Sequence, residues 1–362
     1  MSRDAAFDHI RIVLIGLVIF HHTAIVYGGS GGWYWRELPN ASNPVLVAFN
    51  AINQSFFMGV FFLLAGYFTT MSFERKGAKV FLADRFLRLG LPLVIYFFVI
   101  SPFTIALAAT SRGIPFLSGW KKMILLGEFE PGPLWFVESL LIFSLVYVLW
   151  KKLQRSHATT PGPTALPGFS KLAITTILLG LISFAVRLYV PVGQSVLWLQ
   201  LGYFPCYVFL YAAGCASYHF RILENVTLRQ AIPWMLLSII TVVSLPIVIV
   251  KRIGAGAFEG GYNLNALFYA LWDPFTAWGI ILGMLWFFRK FLYRSNGITR
   301  FLARRVYTIY IIHPPVLVLL SLLLSNWAAN PMAKFFTTGV FTFLGCVAIS
   351  SLVLLPPVRR VL

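Results

Sequence analysis

Five groups of polar residues interrupt otherwise apolar stretches of this sequence, and each has a chemistry open to it. The first is Asp8, Arg11 and His22. Arg11 and His22 are eleven residues apart. On an α-helix that is three turns, so both project from one face about 16 Å apart along the axis. Histidine takes a proton near neutral pH, and arginine grips oxyanions with a two-pronged fork. Asp8 is placed to pair with Arg11 one turn away, and His21 points about 100° from His22. Ionisable groups within an apolar span are costly and mark functional sites. The alternative is a snorkelling arginine and a histidine bonded to a neighbouring helix.

The second group, Arg85 and Arg88, sits where an apolar run begins. Two arginines three apart share a helix face and suit the phosphates of an anionic donor such as a coenzyme; anchoring to lipid headgroups is the other reading. The third is Glu138, in Gly132-Pro-Leu-Trp-Phe-Val-Glu138. It is placed to orient a hydroxyl, to pair with a histidine, or to rest solvated. The fourth is His313 in Tyr310-Ile-Ile-His313-Pro-Pro315. The prolines free backbone carbonyls there, and the histidine has the option of satisfying them. The fifth combines Asn50, Asn53 and Gln54 with Asp273, suited equally to helix-to-helix hydrogen bonds and to a polar cavity. Serine-nucleophile and zinc motifs are missing from the sequence. A histidine base suits direct transfer to a hydroxyl without an acyl-serine.

The elements that must position these groups follow from composition. The chain has 362 residues, 59% hydrophobic and 11% charged, with mean hydropathy +0.81. Soluble domains are nearer 25% charged, so the sequence reads as an all-α polytopic membrane protein in one domain, 1–362. A span needs about 20 apolar residues. Ten are expected: 9–28, 45–71, 86–110, 134–151, 171–190, 197–219, 231–250, 265–288, 304–325 and 334–356. The first reads as a retained helix rather than a cleaved signal, because Tyr27-Gly-Gly-Ser-Gly-Gly-Trp33 is a turn without a cleavage site. Basic residues support ten spans with both termini cytoplasmic: twenty fall on the inner side and eight, including Arg187 and Lys334, on the outer. This bias accounts for the net charge of +18 without nucleic acid. Trp33, Trp35, Trp120, Trp135 and Trp198 fall near outer interfaces, as an aromatic belt or as a stacking platform for sugar. Gly254–Gly261 reads as a flexible loop rather than a phosphate cradle. Cys206, Cys215 and Cys346 form no metal or disulfide pattern.

Taken in order, these pieces resemble the acyltransferase-3 family of integral-membrane acyltransferases. The carriers are Asp8, Arg11 and His22; Phe61-Phe-Leu-Leu-Ala-Gly-Tyr67; Arg85 and Arg88 with Gly90-Leu-Pro92; Leu134-Trp-Phe136; and Tyr310, His313 and Pro315. Phe49-Asn50, Ser55-Phe56, Met58, Val60-Phe-Phe62 and Gly66-Tyr-Phe68 resemble the branch of glucan biosynthesis protein C, which succinylates periplasmic glucans. The sequence departs in its doubled His21-His22 and has no appended SGNH-type domain. The resemblance implies a multi-pass protein of the bacterial inner membrane. It would move an acetyl or succinyl group from a cytoplasmic acyl-coenzyme A to a hydroxyl of an extracytoplasmic carbohydrate, with no permanently bound cofactor or metal. His22 would act as general base or as a transient acyl carrier, Arg11 would position the donor, Arg85 and Arg88 would hold its phosphates, and Glu138 and His313 would assist. The competing reading is a proton-coupled transporter with Arg11, His22, Asp273 and His313 as its relay. An anionic-lipid-binding scaffold subunit is a third.

Overall fold

A computed structural model describes residues 4–37, 39, 42–154, 166–251 and 257–353. The described residues are helical throughout their length apart from connections. In chain order the helices are α1 (Ala5–Val26), α2 (Pro44–Arg85), α3 (Leu91–Ile95), α4 (Ser101–Ala109), α5 (Phe116–Leu126), α6 (Trp135–Leu153), α7 (Phe169–Arg187), α8 (Phe204–Phe220), α9 (Leu228–Lys251), α10 (Leu264–Phe291), α11 (Gly297–Ala303), α12 (Val306–Leu323) and α13 (Pro331–Val353).

Among the described residues, eight helical runs are long and apolar enough to cross a bilayer. The difference from ten has two causes. The second and third expected spans lie within one run of 69 residues, Pro44–Arg112, which a kink divides into two helices. It passes through Gly77, whose φ of 72° and ψ of 166° interrupt the helix, and through π-helical turns at Phe86–Gly90 and Tyr96–Ile100. The sixth expected span is α8, whose 17 residues, preceded directly by the 3-10 turn Leu201–Tyr203, stand at the short end of what a bilayer core requires. Exposed apolar faces fit lipid contact: Leu236, Ile239, Ile240, Val243 and Ile247 of α9 all stand exposed. The chain is an all-α, multi-pass membrane protein. Arg3, Arg155, Arg252, Arg359 and Arg360 of the charge asymmetry, Pro161–Pro163, and Gly254, Ala255 and Gly256 of the glycine-rich loop lie outside the described residues.

The chain divides into two compact units. The first comprises Met1–Ile10, Ala51–Gly77 and Gln154–Ser295. Its centre is a buried ion pair between Arg187, the last residue of α7, and Asp273 of α10. The guanidinium lies over the rings of Tyr203 and Tyr269, at 5.0 and 5.1 Å from their centroids. Its Nε donates to the Gly202 carbonyl at 3.1 Å. Arg187 is therefore not a solvated charge; its partner on α10 holds it in the interior of the unit.

The second unit comprises Arg11–Asn50, Ala78–Leu153 and Asn296–Leu362. Ala24, Val26, Tyr27, Leu46 and Phe335 form a core there, with Phe20, Trp33, Trp35, Phe49 and Met332 packed against it. The Tyr27 and Thr338 hydroxyls are 2.8 Å apart. Lys334, a second supposed outer-loop charge, is buried and donates to Glu37 at 2.6 Å and to the Ser325 carbonyl at 3.1 Å.

Candidate active site

Two of the residues singled out by sequence meet in the second unit. His22 Nδ1 lies 3.0 Å from His313 Nε2, across 291 residues of chain. The rings are stacked, with centroids 5.1 Å apart and planes 13° apart. His313 is fully buried, whereas His22 is only partly so.

The protonation pattern follows from helix geometry. In α12 the carbonyl of Tyr310 would normally accept from the amide of residue 314, four positions on. Residue 314 is proline and has no amide hydrogen. His313 Nδ1 occupies the freed carbonyl at 2.6 Å. A carbonyl only accepts, so that nitrogen carries the hydrogen and His313 Nε2 is left with its lone pair. His22 Nδ1 must then donate to it, which leaves the lone pair of His22 on Nε2. His22 joins the dyad, while the backbone carbonyl of His21 accepts from the Asn50 side chain at 2.9 Å.

The loop after α1 covers the dyad. Trp33 stacks on His22, centroids 4.1 Å apart at 17°, and lies 6.0 Å from His313 at 21°. Backbone bonds fold this loop onto the end of α1: Gly29 N–H to Ala24 O at 2.7 Å, Glu37 N–H to Val26 O at 3.0 Å, and Asn43 N–H to Gly28 O at 2.8 Å. Arg36 adds a bond to the Gly29 carbonyl at 3.0 Å. Gly29 is required by close approach, since a Cβ there would strike Asn50 Oδ1 and the Ala24 carbonyl. Trp33 is therefore packed directly on the dyad. Stacking partners of this kind are set by loop folding and leave no periodic trace in sequence.

A second cluster borders the dyad through Tyr310, whose hydroxyl donates to the Pro133 carbonyl and whose ring stacks on His313 at 5.8 Å. Phe136 meets the Tyr310 ring edge-on at 6.2 Å. Next to Pro133, Gly132 sits at φ 47°, and a Cβ there would strike the Tyr34 hydroxyl. The Tyr34 and Tyr96 hydroxyls are 2.9 Å apart. Burial, with Glu130 nearby, pushes the Tyr34 hydroxyl above its ordinary range, and burial likewise raises the Glu130 carboxyl. Tyr34 thus remains a neutral hydroxyl.

The other sequence candidates lie on α1, α2, α6, α10 and the turn that follows α2. Arg11 lies on α1, half-buried, three turns before His22; Asp8 is buried on the same helix. Arg85 ends α2, its guanidinium 5.0 Å from the centroid of Phe81. Arg88 is exposed and pairs with Asp84 at 3.0 Å. Proline again shapes the backbone. Pro92 removes the amide that would bond to the Arg88 carbonyl in an α-helix, and the Tyr307 hydroxyl of α12 donates to that carbonyl at 2.9 Å. Tyr307 precedes His313 by six residues, or about 9 Å along the axis. Glu138 is half-buried with Oε2 unpartnered among the described residues, and it bonds to neither histidine. Of the fifth group, Asn50 holds the His21 carbonyl, Gln54 donates to the Tyr207 hydroxyl at 2.9 Å, and Asp273 is held by Arg187. Among the described residues, no three acidic, histidine or cysteine side chains gather as metal ligands. The three cysteines are free thiols.

Comparison with known proteins places this chain in a family. The family model described as "Acyltransferase domain", the acyltransferase-3 family, matches residues 4–351. Among curated proteins, "Glucans biosynthesis protein C" of Salmonella schwarzengrund (strain CVM19633) is 29% identical over 192 residues, 51% of this chain and 49% of that protein. The protein of the same name from Salmonella typhi matches to the same extent, and that from Salmonella heidelberg (strain SL476) is 29% identical over 194 residues, with the same coverage of each chain. The alignments take in about half the length of these curated relatives. No solved structure matches. The chain belongs to the acyltransferase-3 family.

Proposed function

We propose that this member of the acyltransferase-3 family is a membrane-embedded O-acyltransferase of the bacterial inner membrane. It takes an acetyl or succinyl group from a cytoplasmic acyl-coenzyme A and transfers it to a hydroxyl of an extracytoplasmic carbohydrate. The relatives' printed name makes a glucan the first acceptor to test. The observation that carries this reading is the tautomer chain from the Tyr310 carbonyl through His313 to His22, which ends in a lone pair on His22 Nε2.

That nitrogen accepts the proton of the acceptor hydroxyl as the oxygen attacks the thioester carbonyl. The new C–O bond forms and the carbonyl π pair moves onto its oxygen. Collapse of this tetrahedral species expels the coenzyme thiolate, which takes the proton back from the His22 imidazolium. His313, which accepts from His22 Nδ1–H, fixes the ring and supports the charge that develops, the part the buried acceptor plays in a catalytic triad. Arg85 and Arg88 hold donor phosphates, with Arg88 exchanging Asp84 for them; Arg11 acts on the donor arm nearer the dyad. Glu138 orients the acceptor hydroxyl. The relay of a proton-coupled transporter gains less support, since Asp273 is already engaged by Arg187.

The test uses proteoliposomes with acetyl- or succinyl-coenzyme A on one side and glucan on the other. Wild-type protein forms an ester, and folded His22→Ala does not. Transfer by the Ala variant at near-normal rate would refute the base, and proton-coupled flux without acylated product would favour transport.

A further inference from the structure

Acyl transfer through a tetrahedral oxyanion needs a donor aimed at the oxygen where charge develops, and removing one such donor ordinarily costs about 10²–10³ in kcat. His22 and His313 cannot supply it. Their hydrogens are committed along the chain to Tyr310, and the one open nitrogen carries a lone pair. Beside them is an N–H that has no other use. Trp33 Nε1 is buried and has no hydrogen-bond partner among the described residues. Buried N–H groups are rarely left so, because an unpaired one is costly.

We propose that Trp33 is a catalytic residue, its indole N–H donating to the thioester oxygen as that oxygen becomes the oxyanion. This rests on the acyl-transfer reading given above. The indole is parallel to the His22 ring at 4.1 Å, so its edge lies beside the edge of the imidazole. In this proposal the thioester oxygen, when its carbonyl carbon is attacked by a hydroxyl held at His22 Nε2, turns to the indole edge that carries Nε1. The indole is held in place for this. Its loop is folded back on α1 by the bonds from Gly29, Glu37 and Asn43, and Trp33 packs on the core around Tyr27 and Phe335. The neighbouring Tyr34 ring closes on it edge-on at 5.2 Å. A preorganised donor of this kind costs no reorientation as the charge forms.

The proton inventory balances without Trp33 giving up its hydrogen. The hydroxyl proton goes to His22 Nε2 and from there to the departing thiolate. The indole hydrogen stays on nitrogen throughout, bonded to the oxyanion while the tetrahedral species lasts.

The decisive variants separate the N–H from the ring. Trp33→Phe keeps a flat apolar face on His22 and loses the donor; Trp33→His keeps an N–H on a ring edge. Each is measured in nanodiscs with whichever of acetyl- and succinyl-coenzyme A the wild type uses. The Phe variant is expected to lose about 10²–10³ in kcat, with donor and acceptor KM near wild type and the acid limb of the pH–rate profile unmoved. The His variant should regain part of the loss. A Phe variant with kcat within about threefold of wild type overturns the proposal. So does a loss accompanied by a moved acid limb, which would make Trp33 act through His22. Should the Trp33→Phe protein not fold, 3-benzothienylalanine in place of Trp33, matched in shape with sulfur instead of N–H, gives the same two-way result. A wild type that acylates nothing would instead remove the acyl-transfer reading itself.

Discussion

Replacing His313 tests the dyad without touching the base. In His313→Ala, His22 loses the acceptor for its Nδ1–H at 3.0 Å. In the resting enzyme that bond joins two neutral rings. Once His22 takes the acceptor proton, the same bond is charge-assisted, and such bonds contribute about 1.5–3 kcal/mol. At tenfold per about 1.4 kcal/mol, kcat should fall about 10–150-fold. A free imidazole also populates the tautomer with hydrogen on Nε2, which adds to the loss. Because the bond strengthens only as charge forms, kcat should drop while donor and acceptor KM stay near wild type. His313→Gln places a carbonyl oxygen near the former Nε2 and should restore about tenfold over Ala. The assay is ester formation on glucan in nanodiscs. The double variant His22→Ala/His313→Ala should be no slower than His22→Ala alone, as expected of residues that act as a unit. A His313→Ala enzyme within about threefold of wild type, or a double variant that shows additive losses, would refute the reasoning.

Four further outcomes follow from the same contacts. Arg88→Ala should raise the donor KM severalfold with acceptor KM unchanged, measured by steady-state kinetics; equal effects on both would count against phosphate binding. Gly29→Ala drives a methyl into Asn50 Oδ1 and the Ala24 carbonyl and should lower the melting temperature and disturb Trp33, read by its fluorescence. Gly132→Ala must displace Tyr34 at a backbone φ of 47°, costing on the order of 1 kcal/mol or more in stability, which a denaturation midpoint would show. In the first unit, Arg187→Ala strands the Asp273 carboxylate and should cost about 3–5 kcal/mol, whereas Arg187→Met with Asp273→Leu should recover most of it in thermal unfolding.

The helices and the polar positions within them were legible because both rest on local spacing. Arg11 and His22 share a helix by simple periodicity, and His313 stood out as a histidine in an apolar run. Their pairing was not legible, since nothing local ties residue 22 to residue 313. The prolines held the missing clue. Pro92 and Pro314 each free the carbonyl four residues earlier, and a side chain takes each one: Tyr307 at Arg88 and His313 at Tyr310. The charge pattern did not reveal that Arg187 and Lys334 are buried, because a lone basic residue near a helix end reads as solvated unless its buried acid is known. Gly77 and its charged neighbours marked the break between the second and third expected spans, and the helix is interrupted there. Trp33 read as an interfacial tryptophan because only the folded loop brings it onto His22.

The most direct test of His22 as the acyl-transfer base is mass spectrometry of cell-envelope glycans from three strains, carrying the native protein, none, or His22→Ala at equal membrane abundance. The account predicts an added acetyl or succinyl mass on a glycan in the native strain alone, with the His22→Ala strain indistinguishable from the deletion. The same mass retained in the His22→Ala strain would contradict it.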